Sequence, residues 1–300
     1  MSTCTRRQFL QWTSTAVALA GAAPALLHAQ AAGSARFKRG IMWGTVGLKG
    51  SVLEKMKAIR EAGFDGVEMS SHMDQEEVLR ARDATGLEIT SVCGAHHWKL
   101  TLSDPDPKVR EEGLEALKQT LRDARRYGAG SILLVPGKVT KDTTYEQCWA
   151  RSIAEIRKAI PLAEELGVLI SIENVWNDFI TREDEALRYL EEINSPWVKW
   201  HFDAGNIIRY GDPIRWIRTL GARISRVHIK EYSLDRAMRL GSPWEGFNVA
   251  LLEGANNWKG IMAALREVGY KDYLITEQGG GNSPEGLRDL RERLDKIIAL

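Results

Sequence analysis

The strongest constraint on the fold of this chain is a regular alternation of short apolar segments with longer amphipathic ones. The short segments predict strands at 40–43, 66–70, 87–95, 131–135, 168–174, 198–203, 224–230 and 273–277. Helical periodicity predicts helices at 52–62, 75–84, 107–127, 145–166, 182–193, 213–220, 258–268 and 284–298. This alternation predicts a parallel sheet covered by helices, and eight strands close a TIM barrel. We therefore predict an α/β fold, a single-domain (β/α)8 TIM barrel.

An open doubly wound sheet is the alternative to the barrel. Such a sheet normally carries a glycine-rich phosphate-binding turn after its first strand. Here that position reads Gly44-Thr45-Val46-Gly47, which lacks the fingerprint. The barrel is therefore favoured, with a long irregular insert between the seventh strand and the helix at 258.

The first 31 residues differ in kind from the rest of the chain. They contain no acidic residue, and Arg6 and Arg7 precede an apolar run at 13–27 and a small-x-small sequence at 29–31. This arrangement resembles a twin-arginine export signal. We expect residues 1–31 to be a cleaved signal peptide read by the twin-arginine (Tat) export machinery, and residues 32–300 to be a periplasmic catalytic barrel. A membrane anchor is the alternative, but the apolar run is shorter than the roughly 20 residues that span a bilayer.

Charge and cysteine content exclude two further classes of protein. Lys plus Arg comes to 41 and Asp plus Glu to 40, so a broad electrostatic grip on nucleic acid is not expected. Three cysteines exclude a disulfide-rich scaffold. Whether Cys93 and Cys148 form a disulfide is left open, although the apolar surroundings of Cys93 favour a buried free thiol.

Four strand ends carry residues that suit a metal site. Alternate residues of a barrel strand face inward, and this parity turns Glu173, Asp203, His228 and Glu277 into the barrel at the C-terminal ends of their strands. Barrel enzymes place their chemistry at that face. Three converging carboxylates would repel one another without a cation. Three oxygens and one imidazole nitrogen favour one Mn²⁺ ion, with Co²⁺, Zn²⁺, Fe²⁺ or Mg²⁺ as alternatives. The structural alternative is that these four are ordinary polar residues at the ends of strands and bind no metal.

The segments around these residues resemble the xylose-isomerase-like TIM-barrel superfamily of sugar isomerases and epimerases, which includes the ketose 3-epimerases and hydroxypyruvate isomerase. The matching segments are Gly66-Val67-Glu68, Ile172-Glu173-Asn174, Phe202-Asp203-Ala204-Gly205-Asn206, Val227-His228-Ile229-Lys230, Leu252-Glu253-Gly254 and Thr276-Glu277. The resemblance implies that the four residues bind the metal and that Glu173 and Glu277 also act as acid and base. Two positions depart from the ketose 3-epimerase pattern: Asn206 replaces a histidine, and Arg236 is a displaced counterpart of an arginine.

The expected activity is that of a metal-dependent carbohydrate isomerase or epimerase. It would remove a proton α to a carbonyl and pass through a metal-bound enediolate. A keto-sugar lyase or dehydratase, acting for example on 3-keto-glycosides or inososes, would use the same metal site. A non-catalytic exported sugar-binding barrel is a third possibility. The expected partner is a small carbohydrate, with no nucleic acid and no stable membrane anchor, and a homo-oligomer is left open.

Eight residues are predicted to bind the substrate. His96, His97 and Trp98 follow the third strand, where imidazoles bond hydroxyl groups and indole stacks on the C–H face of a sugar. The others are Glu68, Asn206, Lys230, Trp43 and Arg236. The structural alternatives are a loop position without a role for the histidines, barrel packing for Trp43 and an ion pair for Lys230. The Gly279-Gly280-Gly281 run either cradles a phosphate or turns the chain, and export favours the turn.

Overall fold

Eight parallel strands close into a barrel in the computed structural model, which describes residues 37–300. The strands follow chain order around the barrel, and the first pairs with the last. Their bounds are β1 Lys38–Met42, β2 Gly66–Ser70, β3 Glu88–Cys93, β4 Ser131–Leu134, β5 Leu169–Glu173, β6 Val198–Asp203, β7 Ile224–Ile229 and β8 Tyr273–Thr276. The predicted (β/α)8 barrel is confirmed. The predicted signal peptide lies outside the described residues.

The helices connect successive strands and cover the outside of the barrel. Their bounds are α1 Val52–Ala62, α2 Gln75–Thr85, α3 Pro107–Tyr127, α4 Tyr145–Leu166, α5 Glu183–Ile193, α6 Ala204–Ile207, α7 Pro213–Leu220, α8 Leu234–Leu240, α9 Trp258–Glu267 and α10 Pro284–Ala299. Short 3-10 turns occupy Trp43–Thr45, Gly221–Arg223 and Pro243–Phe247. Within residues 37–300, no helix combines the length and apolar character needed to cross a membrane.

Local signals explain why the helix bounds follow the sequence so closely. The side chain of Ser51 accepts a hydrogen bond from the amide of Glu54, and Glu54 caps the Ser51 amide in return. The helix ends at Gly63, whose φ of 95° is a left-handed conformation that glycine adopts at little cost. α4 repeats the pattern, with Thr144 at its start and Gly167 at its end.

The core lies between the strands and the helices, as the predicted parity requires. Trp200 and Phe202 of β6 are fully buried on the outer face, where Trp200 packs against Trp216 of α7 with ring centroids 5.9 Å apart. Ser171 of β5 has the parity of Glu173, and its hydroxyl oxygen accepts a hydrogen bond from the hydroxyl of Ser225 at 2.7 Å. Each fully buried large apolar side chain stabilises the fold by about 1.5–3 kcal/mol.

The insert after β7 is not irregular, which corrects the prediction. It contains α8 and the 3-10 turn at Pro243–Phe247. The fully buried carboxylate of Glu231 anchors the C-terminal part of the insert. It accepts hydrogen bonds from the amides of Leu252 and Asn256 and from the indole N–H of Trp258. A side chain at Gly254 would place its Cβ 2.5 Å from Glu231 Oε1, so the chain can approach this carboxylate only with glycine there.

Both cysteines of the described part of the chain are free thiols. Cys148 is buried in α4. Cys93 is free as expected, but it is only partly buried because β3 ends there, at the wall of the cavity described below.

Candidate metal centre and active site

The four predicted metal ligands meet at the C-terminal mouth of the barrel. Glu173 ends β5, Asp203 ends β6, His228 is the second-last residue of β7, and Glu277 directly follows β8. One ligand atom from each lies within 4.8 Å of all the others. His228 Nδ1 is 3.0 Å from Glu173 Oε1, 3.0 Å from Glu277 Oε2 and 3.9 Å from Asp203 Oδ2. The inward parity read from four separate strands therefore produces one cluster.

The cluster fits a divalent cation. Asp203 Oδ2 and Glu277 Oε2 are buried and accept no hydrogen bond from any described residue. Glu277 Oε2 is close to His228 Nδ1, but the hydrogen bond from that nitrogen is made with Glu173 Oε1. A buried charged oxygen without a donor costs more than the roughly 1–3 kcal/mol of a neutral one. A bound cation would satisfy both oxygens, and the donor set of three carboxylates and one imidazole suits such an ion.

The charges around the cluster are unequal. Burial raises the pKa of Asp203 and, to a lesser degree, that of Glu173. Burial also acts to raise the pKa of Glu277, but the neighbouring charges of Lys230 and His228 prevail and hold it below its usual range. Burial opposes the charged form of His228, yet Glu68 and Glu277 together raise its pKa. The site is thus a dense set of opposite charges removed from water.

Lys230 supplies the balancing charge at the edge of the cluster. Its Nζ lies 3.0 Å from Glu277 Oε1 and 3.6 Å from Asp203 Oδ2, and 4.8 Å above the ring of Phe247. Burial acts to lower the pKa of Lys230, but Glu277 and Asp203 raise it above its ordinary value. The ammonium group is therefore charged and is held against two of the predicted ligands.

Asn206 fixes the position of Asp203. Its backbone amide donates to Asp203 Oδ1 at 2.8 Å, and its side-chain amide donates to the carbonyl of Asn174 at 2.9 Å. The side-chain amide of Asn174 in turn donates to the carbonyl of Asp203. These bonds tie the ends of β5 and β6 together, so the residue that replaces a histidine of the ketose 3-epimerase pattern has a clear local role.

A cavity of about 430 Å³ opens beside the cluster. The predicted site residues in its wall are Glu173, Glu277, His97, Trp98, Asn206 and Lys230. The His97 Nδ1 atom accepts a hydrogen bond from the amide of Val135 at 3.2 Å, and burial lowers the pKa of His97 to about 4. The imidazole in the wall is therefore neutral at pH 7.

Four of the predicted substrate-binding residues lie outside this cavity wall. Glu68 is fully buried behind His228, with its Oε1 2.9 Å from His228 Nε2. β1 ends at Met42, which lines the cavity, so Trp43 turns away and lies against Lys55.

Arg236 and His96 are the other two of the four. Arg236 is on α8, where its Nε donates to the carbonyl of Glu245. His96 packs edge-on against His72, with ring centroids 4.4 Å apart. In each case the chain had left the strand, and loop geometry rather than strand parity directs the side chain.

An aromatic wall of the cavity was missed by the sequence analysis. Trp176 lies 4.8 Å from Trp244 and 4.7 Å from Phe247, measured between ring centroids, and all three line the cavity. Trp176 follows Glu173 by three residues, which is a signal that could have placed it near the mouth. Trp244 and Phe247 belong to the insert, whose path no strand or helix period predicts.

Comparison with known proteins agrees with this architecture. A model of the xylose isomerase-like TIM barrel family matches residues 56–297. The L-ribulose-5-phosphate 3-epimerase UlaE of Salmonella paratyphi C is 24% identical over 238 residues, which cover 74% of this chain and 81% of that protein.

Two solved structures share the fold. One is the 3-keto-D-glucoside 4-epimerase YcjR from E. coli, with a TM-score of 0.73 and 20% identity over 88% of this chain and 100% of that one. An L-ribulose 3-epimerase has a TM-score of 0.72 and 21% identity over 88% of this chain and 95% of that one. The match of the family model across most of the barrel, together with this shared fold, shows that the chain belongs to the xylose isomerase-like TIM barrel family.

Proposed function

We propose that this protein is a divalent-metal-dependent carbohydrate epimerase or isomerase that removes a proton α to a carbonyl. The observation that carries the proposal is the convergence of Glu173, Asp203, His228 and Glu277 beside a cavity lined by polar and aromatic side chains. The similarity to two ribulose epimerases and a keto-glucoside epimerase supports the same class of reaction.

The four residues would hold one divalent cation, and Mn²⁺ is the ion we favour for this donor set. A bound cation would polarise the substrate carbonyl and stabilise the negative charge that develops when the α-proton leaves. Glu68 would orient the site, because a carboxylate that accepts a hydrogen bond from His228 Nε2 keeps Nδ1 free as the ligand atom.

Glu173 and Glu277 are the proposed acid and base. Both line the cavity, and they come from strands that are not neighbours in the barrel, so they approach a substrate from different sides. One carboxylate takes the α-proton, and the other returns a proton either to the opposite face of that carbon or to the adjacent carbon. The first outcome is epimerisation and the second is isomerisation. Lys230, 3.0 Å from Glu277 Oε1, orients Glu277 for this role.

Incubation of a sugar panel in D₂O with the manganese-loaded protein tests the reaction class. We expect deuterium at an α-carbon of the recovered sugar and loss of this exchange in Glu173→Gln and Glu277→Gln. Glu253→Gln is the matched control, because Glu253 is exposed and pairs with Arg293. Retained exchange in Glu277→Gln would remove that residue from the acid–base role. An unsaturated product or a released aglycone would assign the protein to the lyases instead.

Metal analysis tests the site separately from the chemistry. The protein purified and loaded with Mn²⁺ should hold one equivalent of metal after dialysis, whereas Asp203→Asn should hold far less. Failure of the parent protein to retain any divalent metal would contradict the proposed centre.

We also propose that residues 1–31 direct export to the periplasm through the twin-arginine pathway. The adjacent Arg6 and Arg7 before an apolar run support this proposal. A folded reporter fused to residues 1–31 should reach the periplasm, and replacement of both arginines by lysine should keep it in the cytoplasm. Export of the lysine variant at the original rate would contradict the assignment.

A further inference from the structure

We propose that the substrate is an unphosphorylated sugar joined to a second ring, that is, a glycoside, and that the second ring lies against Trp98 and Trp244. This inference rests on the proposed function and specifies the substrate class of the same site. It separates this protein from UlaE, whose name specifies a phosphorylated sugar.

The outer wall of the cavity is aromatic and open to water. Trp98 and Trp244 both line the cavity, yet their side chains are 46% and 63% exposed. Trp176 and Phe247 back Trp244, which holds its indole in place. Exposed apolar surface at the rim of a pocket is typical of a ligand-binding site. The proposed second ring would cover these exposed indoles, which lie in the wall of the same cavity as Glu173 and Glu277.

The cavity offers no free cation for a phosphate. Among the described residues, Lys230 is the only lysine or arginine of the cavity wall, and its ammonium group is committed to Glu277 and Asp203. A dianionic phosphate would also lie close to the buried carboxylates of the cluster, where like charges repel. His97 contributes a neutral imidazole, because burial lowers its pKa to about 4.

Several groups at the usual phosphate position of a TIM barrel already have partners within the protein. That position lies in the loops after the seventh and eighth strands and at the N-terminus of the helix that follows. Here Glu231 fills the first loop, and its amide donates to Gln278 of the second. α10 begins with Pro284, which has no N–H, and the amide of Gly286 already donates to Ser283 Oγ. In the glycine run 279–281, the carbonyls of Gly280 and Gly281 accept hydrogen bonds from the amides of Asn282 and Gly47, so this run forms part of a turn.

The chemistry then fixes one further property of the substrate. A glycosidic bond locks the anomeric carbon as an acetal, so that carbon cannot supply the carbonyl that proton removal needs. The sugar ring must carry a ketone at another ring carbon, with a C–H bond beside it. A reaction that oxidises a ring hydroxyl to a ketone must therefore supply this substrate.

The test uses the manganese-loaded protein and compares deuterium exchange in D₂O for three substrates. These are a keto-glucoside with an aryl aglycone, its methyl counterpart, and a ketopentose 5-phosphate. We expect the highest kcat/KM for the aryl keto-glucoside. Trp98→Ala and Trp244→Ala should each lower that value by about tenfold, the scale of one aromatic contact, and should change the methyl compound little. Met238→Ala is the control, because Met238 is 75% exposed in the same insert and does not line the cavity.

Binding to the metal-free protein gives a readout that is independent of turnover. Calorimetric titration with the aryl keto-glucoside should show weaker binding for both tryptophan variants and unchanged binding for Met238→Ala. Faster exchange with the ketose phosphate, or an equal loss on the aryl and methyl compounds, would overturn this inference while leaving the proposed epimerase intact. Absence of exchange with every sugar would instead overturn the proposed function.

Discussion

Glu68 lies directly behind His228, with its Oε1 atom 2.9 Å from Nε2 of the imidazole. The other ring nitrogen, Nδ1, faces Glu173, Glu277 and Asp203. Both side chains are fully buried. In the proposed metal-bound state, a proton held on Nε2 against Glu68 would leave the lone pair of Nδ1 for the cation. The carboxylate of Glu68, which the sequence analysis placed in contact with the substrate, is thus hydrogen-bonded to a predicted metal ligand on the side away from the cluster.

Replacing Glu68 should weaken metal binding without removing a ligand. We expect Glu68→Ala to lower the affinity for Mn²⁺ by roughly 10–100-fold, since the imidazole loses the group that orients it. Glu68→Gln should lose less, because its amide oxygen still accepts from Nε2. Competition with a fluorescent chelator measures the affinities. Glu88→Ala is the control, because Glu88 is exposed and pairs with Lys38 at the N-terminal end of β3. Wild-type affinity in Glu68→Ala would contradict this role.

Metal binding should stabilise the folded protein, and Asp203 should be required for that effect. Asp203 Oδ2 is buried and has no hydrogen-bond partner among the described residues. At a free metal concentration one hundred times Kd, we expect the free energy of unfolding to rise by about 2.7 kcal/mol. Asp203→Asn should abolish the rise. Asp142→Asn, at an exposed aspartate, should retain it. Urea titrations with Mn²⁺ and with a chelator measure the difference, and an equal rise in Asp203→Asn would refute the assignment.

His97 should make the protein lose stability in mild acid. Burial lowers the pKa of the folded imidazole from 6.5 to about 4, so between these values the unfolded chain binds a proton that the folded chain does not. The free energy of unfolding therefore decreases as the pH falls from 6.5 to 4. The decrease due to His97 is at most about 3 kcal/mol, because the ring is partly exposed.

His97→Asn tests this dependence, because an asparagine oxygen can accept the Val135 amide in place of Nδ1. Urea unfolding at pH 7 and pH 4.5 should show a smaller loss of stability for the variant than for the parent protein. An equal loss in the two proteins would show that other groups carry the acid sensitivity.

Glu231 should be among the most sensitive positions for folding outside the metal cluster. Glu231→Ala leaves the amides of Leu252 and Asn256 and the indole N–H of Trp258 without their acceptor. We expect a loss of about 3–5 kcal/mol in the free energy of unfolding. Glu253→Ala, which breaks an exposed pair with Arg293, should cost at most about 1 kcal/mol. Denaturant titration compares the two variants, and similar values for both would contradict the proposed anchor.

Most of the fold was predictable because its signals are local. β2 and β6 have the bounds that the sequence predicted, and the other strands differ by one or two residues at an end. Capping residues such as Ser51 and Thr144 and left-handed glycines such as Gly63 and Gly167 mark where helices begin and end. The insert was predicted poorly, since its course depends on contacts with Glu231 rather than on a repeating period.

The four clustered residues of the candidate site were predictable because each lies at or next to the C-terminal end of a strand. Glu173, Asp203, His228 and Glu277 meet because strand parity and strand ends follow from the sequence of each strand alone. Trp43 and Arg236 lie outside the cavity wall because each comes after the end of its strand, Trp43 in a 3-10 turn and Arg236 on α8, where strand parity no longer directs the side chain.

The sequence by itself therefore determined the eight-stranded barrel and the four inward side chains at its mouth, because alternation within a strand is a property of neighbouring residues. Only the tertiary structure decided that Glu68 is hydrogen-bonded to His228 and that Lys230 forms an ion pair with Glu277. It also decided that Trp176, Trp244 and Phe247 form one wall of the cavity. These contacts join residues that are far apart in the chain. They exist only once the barrel has closed and the buried carboxylate of Glu231 has brought the insert back over its mouth.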